Sequence, residues 1–156
     1  MEIRIETHIA APPEICFDLA RDLKVHTQTS SNTRETIIAG PPSGLVERND
    51  VVTFEATHFG IRQRLTSKII EFDRPTRFAD EMVSGAFRSL IHVHSFVPRP
   101  GGTLMIDELN IVAPFGVLGI FAELLFLKRY MTTFLANRAE GLKLLAESVT
   151  AAYSSA

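Results

Sequence analysis

Apolar and polar residues alternate with a period of two over most of the chain and recur with a helical period in two stretches. Ile3, Ile5, Thr7 and Ile9 interleave with Glu2, Arg4, Glu6 and His8, the pattern of a half-buried strand. Ala10-Ala11-Pro12-Pro13 ends it, and Pro13 suits the first position of a helix. Ile15, Cys16, Leu19, Ala20 and Leu23 follow at helical spacing and predict a short helix over residues 13–21. Lys24–Thr33 is polar, with room for one further helical turn. Arg34–Ala39 reads as a second strand, closed by the turn formers Gly40-Pro41-Pro42-Ser43-Gly44. Strand then follows strand: Val51–Phe59, Arg62–Phe72, Arg77–Ser84, Leu90–Val97 and Thr103–Val112. The breaks at Gly60, Arg74-Pro75, Gly85 and Pro98–Gly102 are short, as between antiparallel neighbours. From about Val117 to near Val149 a helix is expected. Leu124, Leu125, Lys128, Met131, Leu135, Arg138, Leu142 and Leu145 recur there at steps of three and four.

The sum is one strand, two short helices, six more strands and one long terminal helix, an α+β fold with its helices on one side of an antiparallel sheet. A single domain over residues 1–150 is expected, with residues 151–156 as a frayed tail. The 156 residues are 46% hydrophobic and 22% charged, an ordinary globular balance. A net charge of −2 argues against nucleic acid as a partner. The single cysteine, Cys16, permits no internal disulfide and points to the cytoplasm; its place among apolar neighbours reads as a small buried hydrophobe. The opening residues alternate in polarity, so no secretion signal is expected. Phe115–Leu127 spans 13 residues and carries Glu123, against the ~20 apolar residues a membrane span needs.

The most informative segment is the hairpin Leu90–Val112. A two- or four-residue turn centred on Pro100-Gly101 sets His94 opposite Asp107 and Phe96 opposite Met105; centring it on Gly101-Gly102 shifts the pairs but keeps the same sets on each face, and a three-residue turn breaks the assignment. One face then holds Leu90, His92, His94, Phe96, Thr103, Met105, Asp107, Leu109 and Ile111. The other holds Ile91, Val93, Ser95, Val97, Leu104, Ile106, Glu108, Asn110 and Val112. Apolar residues are nearly as many on either face, so composition does not say which is inside.

An ordered set of short motifs bears on that choice. Ile9-Ala10-Ala11-Pro12-Pro13-Glu14 with Phe17 opens it, followed by His58-Phe59-Gly60 and Pro75-Thr76-Arg77-Phe78-Ala79-Asp80. Gly85-Ala86-Phe87, His92-Val93-His94-Ser95-Phe96, Gly102-Thr103 with Asp107, and Pro114-Phe115-Gly116-Val117-Leu118-Gly119 complete it. Over residues 1–148 this order resembles the helix-grip fold of the START-like (SRPBCC) superfamily. Within it the chain looks like a bacterial ligand-binding branch sometimes labelled cell-division-inhibitor-like, a label that no residue here supports. The chain departs from that branch in carrying Leu90 where an aromatic often stands, and in having no tryptophan.

The resemblance implies a curved seven-stranded sheet wrapped around the terminal helix, with a small hydrophobic, lipid-like or aromatic molecule held between them. The superfamily includes lipid carriers and polyketide cyclases, so the fold does not settle the function. The resemblance also turns the His94–Asp107 face inward. The implied pocket residues are Phe54, His58, Phe78, Asp80, Met82, His92, His94, Phe96, Met105 and Asp107, with Phe121 and Leu124 from the helix.

Four readings of the polar cluster stay open. It is a structural His–Asp pair, a set of handles that orient an apolar ligand, a solvated outer surface, or a metal or catalytic site. As a catalyst, His94 is the candidate general base with Asp107 holding it, in a cyclase/dehydratase-like reaction. His92-Val93-His94 with Asp107 or Asp80 imitates a two-histidine, one-carboxylate set. His-x-His is too common on strands to carry that reading, so neither metal nor cofactor is expected. A third class of function is a protein-interaction module with a filled cavity.

Other features read more plainly. Arg62, Arg64, Thr66 and Lys68 form a basic outer face on one strand, and His26 stands where it could rim a cavity mouth. Phe121, Phe126, Tyr130 and Phe134 make the first half of the long helix apolar nearly all round. A fully buried half-helix, a homodimer contact or a gate at Pro114–Gly119 would each explain that.

Overall fold

The computed structural model describes residues 1–30, 33–41, 44–114 and 126–154. Strand β1 (Glu2–Ile9) leads into helix α1 (Pro13–Ala20), with Pro13 at its first turn, and helix α2 (Leu23–Thr29). Asp22 caps α2, its carboxylate accepting from the backbone N–H groups of Lys24 and Val25. Six strands follow: β2 (Thr36–Ala39), β3 (Val51–His58), β4 (Ile61–Asp73), β5 (Arg77–Ser84), β6 (Ser89–Arg99) and β7 (Gly102–Val112). Helix α3 (Lys128–Ser154) closes the order.

These elements match the alternation of the sequence closely. Helix α3 runs on to Ser154, past the end expected near Val149. The polar segment after α1 holds two turns of helix instead of one, because the Asp22 cap starts it. The expected beginning of the long helix, the gate at Pro114–Gly119 and the site residues Phe121 and Leu124 fall wholly or mostly within residues 115–125, outside the described residues.

The seven strands form one antiparallel sheet in the order β1-β7-β6-β5-β4-β3-β2. Tight turns fix the register. His58 pairs with Ile61 around Phe59-Gly60, both at positive φ (53° and 76°), the turn whose twist suits a hairpin. Arg99 pairs with Gly102 around Pro100-Gly101, which sets His94 against Asp107 and Phe96 against Met105. Leu90, His92, His94 and Phe96 are buried, as are Met105, Asp107, Leu109 and Ile111, so this is the inner face.

Two packed cores flank the middle of that face. On one side Phe17 of α1 meets Phe72, Phe78 and Phe96 edge to face, at ring separations of 5.3, 5.3 and 5.5 Å. Met105, Ala139, Leu142 and Ala146 belong to the same cluster. On the other side Met131 and Leu135 of α3 pack with Ile3, Leu90, Leu109 and Ile111. The basic outer face of β4 is confirmed in part by pairing, since Arg62 and Arg64 both hold Glu55 of β3. Among the described residues no helix is long and apolar enough to cross a membrane.

Candidate functional site

Between the two cores the sheet and α3 stay apart and enclose a cavity of about 280 Å³. Its wall is mostly apolar: Val52, Phe54, Ala56, Leu65, Ile69, Phe78, Leu90 and Leu109 from the sheet, with Met131, Phe134 and Leu135 from α3. Along β4, Gln63, Leu65, Ser67 and Ile69 line the cavity at alternate positions, as a period of two requires, while Arg62 and Ile70 are exposed.

Three polar groups of residues meet this wall. Strand register makes the first. Asp80 of β5 pairs with His92 of β6, and His94 pairs with Phe78 on one side and Asp107 on the other. His94 Nδ1 lies 2.6 Å from Asp107 Oδ1 and, with a carboxylate as acceptor, is the donor. Its ring stacks on Phe78 at 4.3 Å and lies 3.9 Å from the ring of His92. His92 Nε2 is 3.5 Å from the same Asp107 oxygen, buried and without a hydrogen bond. Burial, then the neighbouring His94, push His92 below its ordinary pKa. Burial alone would raise the Asp107 carboxyl, but the two histidines hold it well below the usual range.

The second group joins α2 to α3. His26 stacks on Phe54 at 4.5 Å, accepts a hydrogen bond from Arg138 at Nδ1 (2.9 Å) and brings Nε2 within 2.8 Å of Glu35. An Nδ1 that accepts from a guanidinium carries no proton, so His26 is the neutral tautomer protonated at Nε2. Burial, then the Arg138 charge, push its pKa down against the upward pull of Glu35. The third group is smaller: His58 Nδ1 and Tyr130 Oη are 2.7 Å apart, with His58 half-buried and lowered by burial.

Of the residues singled out in the sequence, Phe54, His58, Phe78, Asp80, His92 and His94 line the cavity. Phe96 and Met105 do not; they are taken up by the packed core around Phe17. Met82 packs beside Leu90 and Ile111 instead of on the wall, and Asp107 stands behind the two histidines. Glu35, Tyr130, Phe134 and Arg138 were not expected at a site. Arg138 left a signal, a charge on the apolar stripe between Leu135 and Leu142. Glu35 left none, because its place depends on how α2 folds back over the sheet.

This architecture recurs in known proteins. The profile of a family described as polyketide cyclase / dehydrase and lipid transport matches residues 1–147. The chain belongs to that family. Solved structures share its fold at low identity. A protein of Thermus thermophilus is 21% identical with a TM-score of 0.79, over 96% of this chain and 99% of its own. A START superfamily protein of Mycobacterium smegmatis is 17% identical with a TM-score of 0.73, over 96% and 99%. A major latex-like protein of Panax ginseng is 12% identical with a TM-score of 0.69, over 94% and 97%. No curated protein sequence matches the chain. At these identities the neighbours of this polyketide cyclase/dehydrase and lipid transport family member establish its helix-grip fold and nothing finer.

Proposed function

We propose that this protein binds one small hydrophobic molecule, lipid-like or polyketide-like, through an apolar body and an oxygen-bearing polar end. The cavity carries the reading: about 280 Å³ between sheet and α3, with an apolar wall and polar side chains converging on it. That is near the lower end of the ~300–1,000 Å³ usual for small-molecule sites. His92, His94 and Asp80 on the floor, or His26 and Arg138 at the α2 side, are the partners for the polar end. The family's membership of lipid carriers and cyclases agrees with this class of ligand. The single buried cysteine fits a reducing, cytoplasmic setting.

Titration with 1-anilinonaphthalene-8-sulfonate, whose emission rises in apolar surroundings, tests it. One saturable site is expected, weakened at least ~10-fold by Ala56→Phe, since an added ring fills the space a ligand needs. Binding unchanged by that substitution in a folded protein would place the dye elsewhere and remove the support.

A catalytic reading has one specific observation in its favour. The 2.6 Å contact with Asp107 occupies His94 Nδ1 and leaves Nε2 as a base on the cavity side. Such a base could take a proton from a carbon flanked by carbonyl groups, the opening step of a polyketide-type ring closure. His94→Gln would then abolish turnover of a poly-β-carbonyl substrate while leaving its binding within a few fold.

A further inference from the structure

We propose that Asp80, His92 and His94 form a site for a divalent first-row transition-metal ion on the cavity floor. The proposal concerns the same cavity but stands apart from the apolar ligand, since it rests on the donor set alone.

Strand pairing assembles the donors. Asp80 faces His92 across β5 and β6, and His94 follows two residues along the same inward face. One donor atom from each lies within 4.8 Å of the other two. Ligands held at ~2.0–2.2 Å from a tetrahedral ion sit roughly 3.3–3.6 Å apart.

The surroundings are those a ligating imidazole requires. Histidines that bind metals donate their other ring N–H to a carboxylate or carbonyl, which fixes the tautomer and raises ligand basicity. Asp107 stands in that place for His94, 2.6 Å from Nδ1, so that Nε2 is the free donor. The same oxygen is 3.5 Å from His92. His92 Nε2 is a buried nitrogen with no hydrogen bond, and its ring lies 3.9 Å from that of His94. A cation drawn between the imidazoles and Asp80 would give that floor a use.

Charge points the same way. Among the described residues neither Asp80 nor Asp107 is paired with a lysine or arginine; Arg138, which also lines the cavity, is bonded to His26. Two imidazoles and a carboxylate suit iron, cobalt, nickel or zinc better than magnesium or calcium. Three protein ligands leave coordination positions open, and these face the cavity. An oxygen of a cavity ligand would complete the sphere, and the ion would polarise it as a Lewis acid.

The test uses untagged full-length protein stripped with a chelator and titrated with Co²⁺, whose visible bands report imidazole coordination. One equivalent is expected to bind. His92→Gln and Asp80→Asn should each weaken binding at least ~10-fold, and Asp107→Asn roughly 10–100-fold without touching the ion. Absence of stoichiometric binding at millimolar Co²⁺ overturns the proposal, as does binding that survives His92→Gln and disappears in His8→Gln, His26→Gln or His58→Gln. If a substituted chain does not fold, X-ray absorption on the Zn²⁺-loaded natural protein decides. Two imidazoles with oxygen support the site; one imidazole or none overturns it. The dye titration is made on the stripped protein, so failure of the metal site and failure of the ligand reading are separate results.

Discussion

Asp107 has its side chain almost wholly out of water and two histidines for company. Removing one partner of a buried polar pair costs more than the pair contributes, because the survivor is left desolvated. Asp107→Ala should therefore lower stability by about 3 kcal/mol, and the joint change Asp107→Leu with His94→Phe should recover part of that. Chemical denaturation checks both; a loss below about 1 kcal/mol would mean water reaches the pair. His26 gives the pH dependence. Glu35, Arg138 and Asp80 act on it, and burial with the Arg138 charge holds its folded pKa below the ~6.5 of an unfolded histidine. As pH falls, the unfolded chain takes up the proton first. Stability is full above about 6.5 and is lost as pH drops towards the folded value, with His58 adding in the same direction. Melting curves from pH 7.5 to 5 should show this slope, reduced in His26→Gln by up to ~1.4 kcal/mol per pH unit. An unchanged slope would show that His26 charges freely in the folded protein.

The β6–β7 hairpin shows what an element reveals in sequence and what it hides. The run Pro100-Gly101-Gly102 marks a tight turn, and the structure's choice of Pro100-Gly101 as its centre puts His94 opposite Asp107, because a turn of fixed length fixes every pair behind it. Which face turns inward was not written there, since both faces carry similar numbers of apolar residues. Burial decides it through Phe17, which draws Phe96 and Phe78 beneath α1. The same packing explains why Phe96 and Met105 fill the core and leave the cavity to smaller or more polar neighbours. Arg138 was legible as a charge on an apolar stripe, whereas Glu35 and its contact with His26 arise only from tertiary folding. The hairpin also anchors the first strand. A Cβ on Gly102 would lie 2.0 Å from the carbonyl oxygen of Ile9, and Thr103 Oγ1 donates to Ala11 O at 2.7 Å. Backbone cannot yield as a side chain does, so Gly102→Ala should cost about 3 kcal/mol or more. A melting temperature within about 2 °C of the natural protein would contradict so close an approach.

At the scale of the molecule, the sheet and α3 are held together at both ends by packed side chains and kept apart in the middle. Fully burying a Leu, Met or Phe contributes roughly 1.5–3 kcal/mol, so apolar walls left unfilled forgo stability that packing would supply. Polar groups on those walls cost more still when they lack partners. The occupant proposed for the cavity would offset both costs. Native mass spectrometry of the protein purified from its own host, set against its denatured mass, tests that most directly. A non-covalent adduct of organic composition is expected, present on the natural protein and absent from the folded Ala56→Phe variant. A natural protein whose native and denatured masses agree, with a crystal structure showing Phe134 and Leu135 packed solidly onto the sheet, would contradict it.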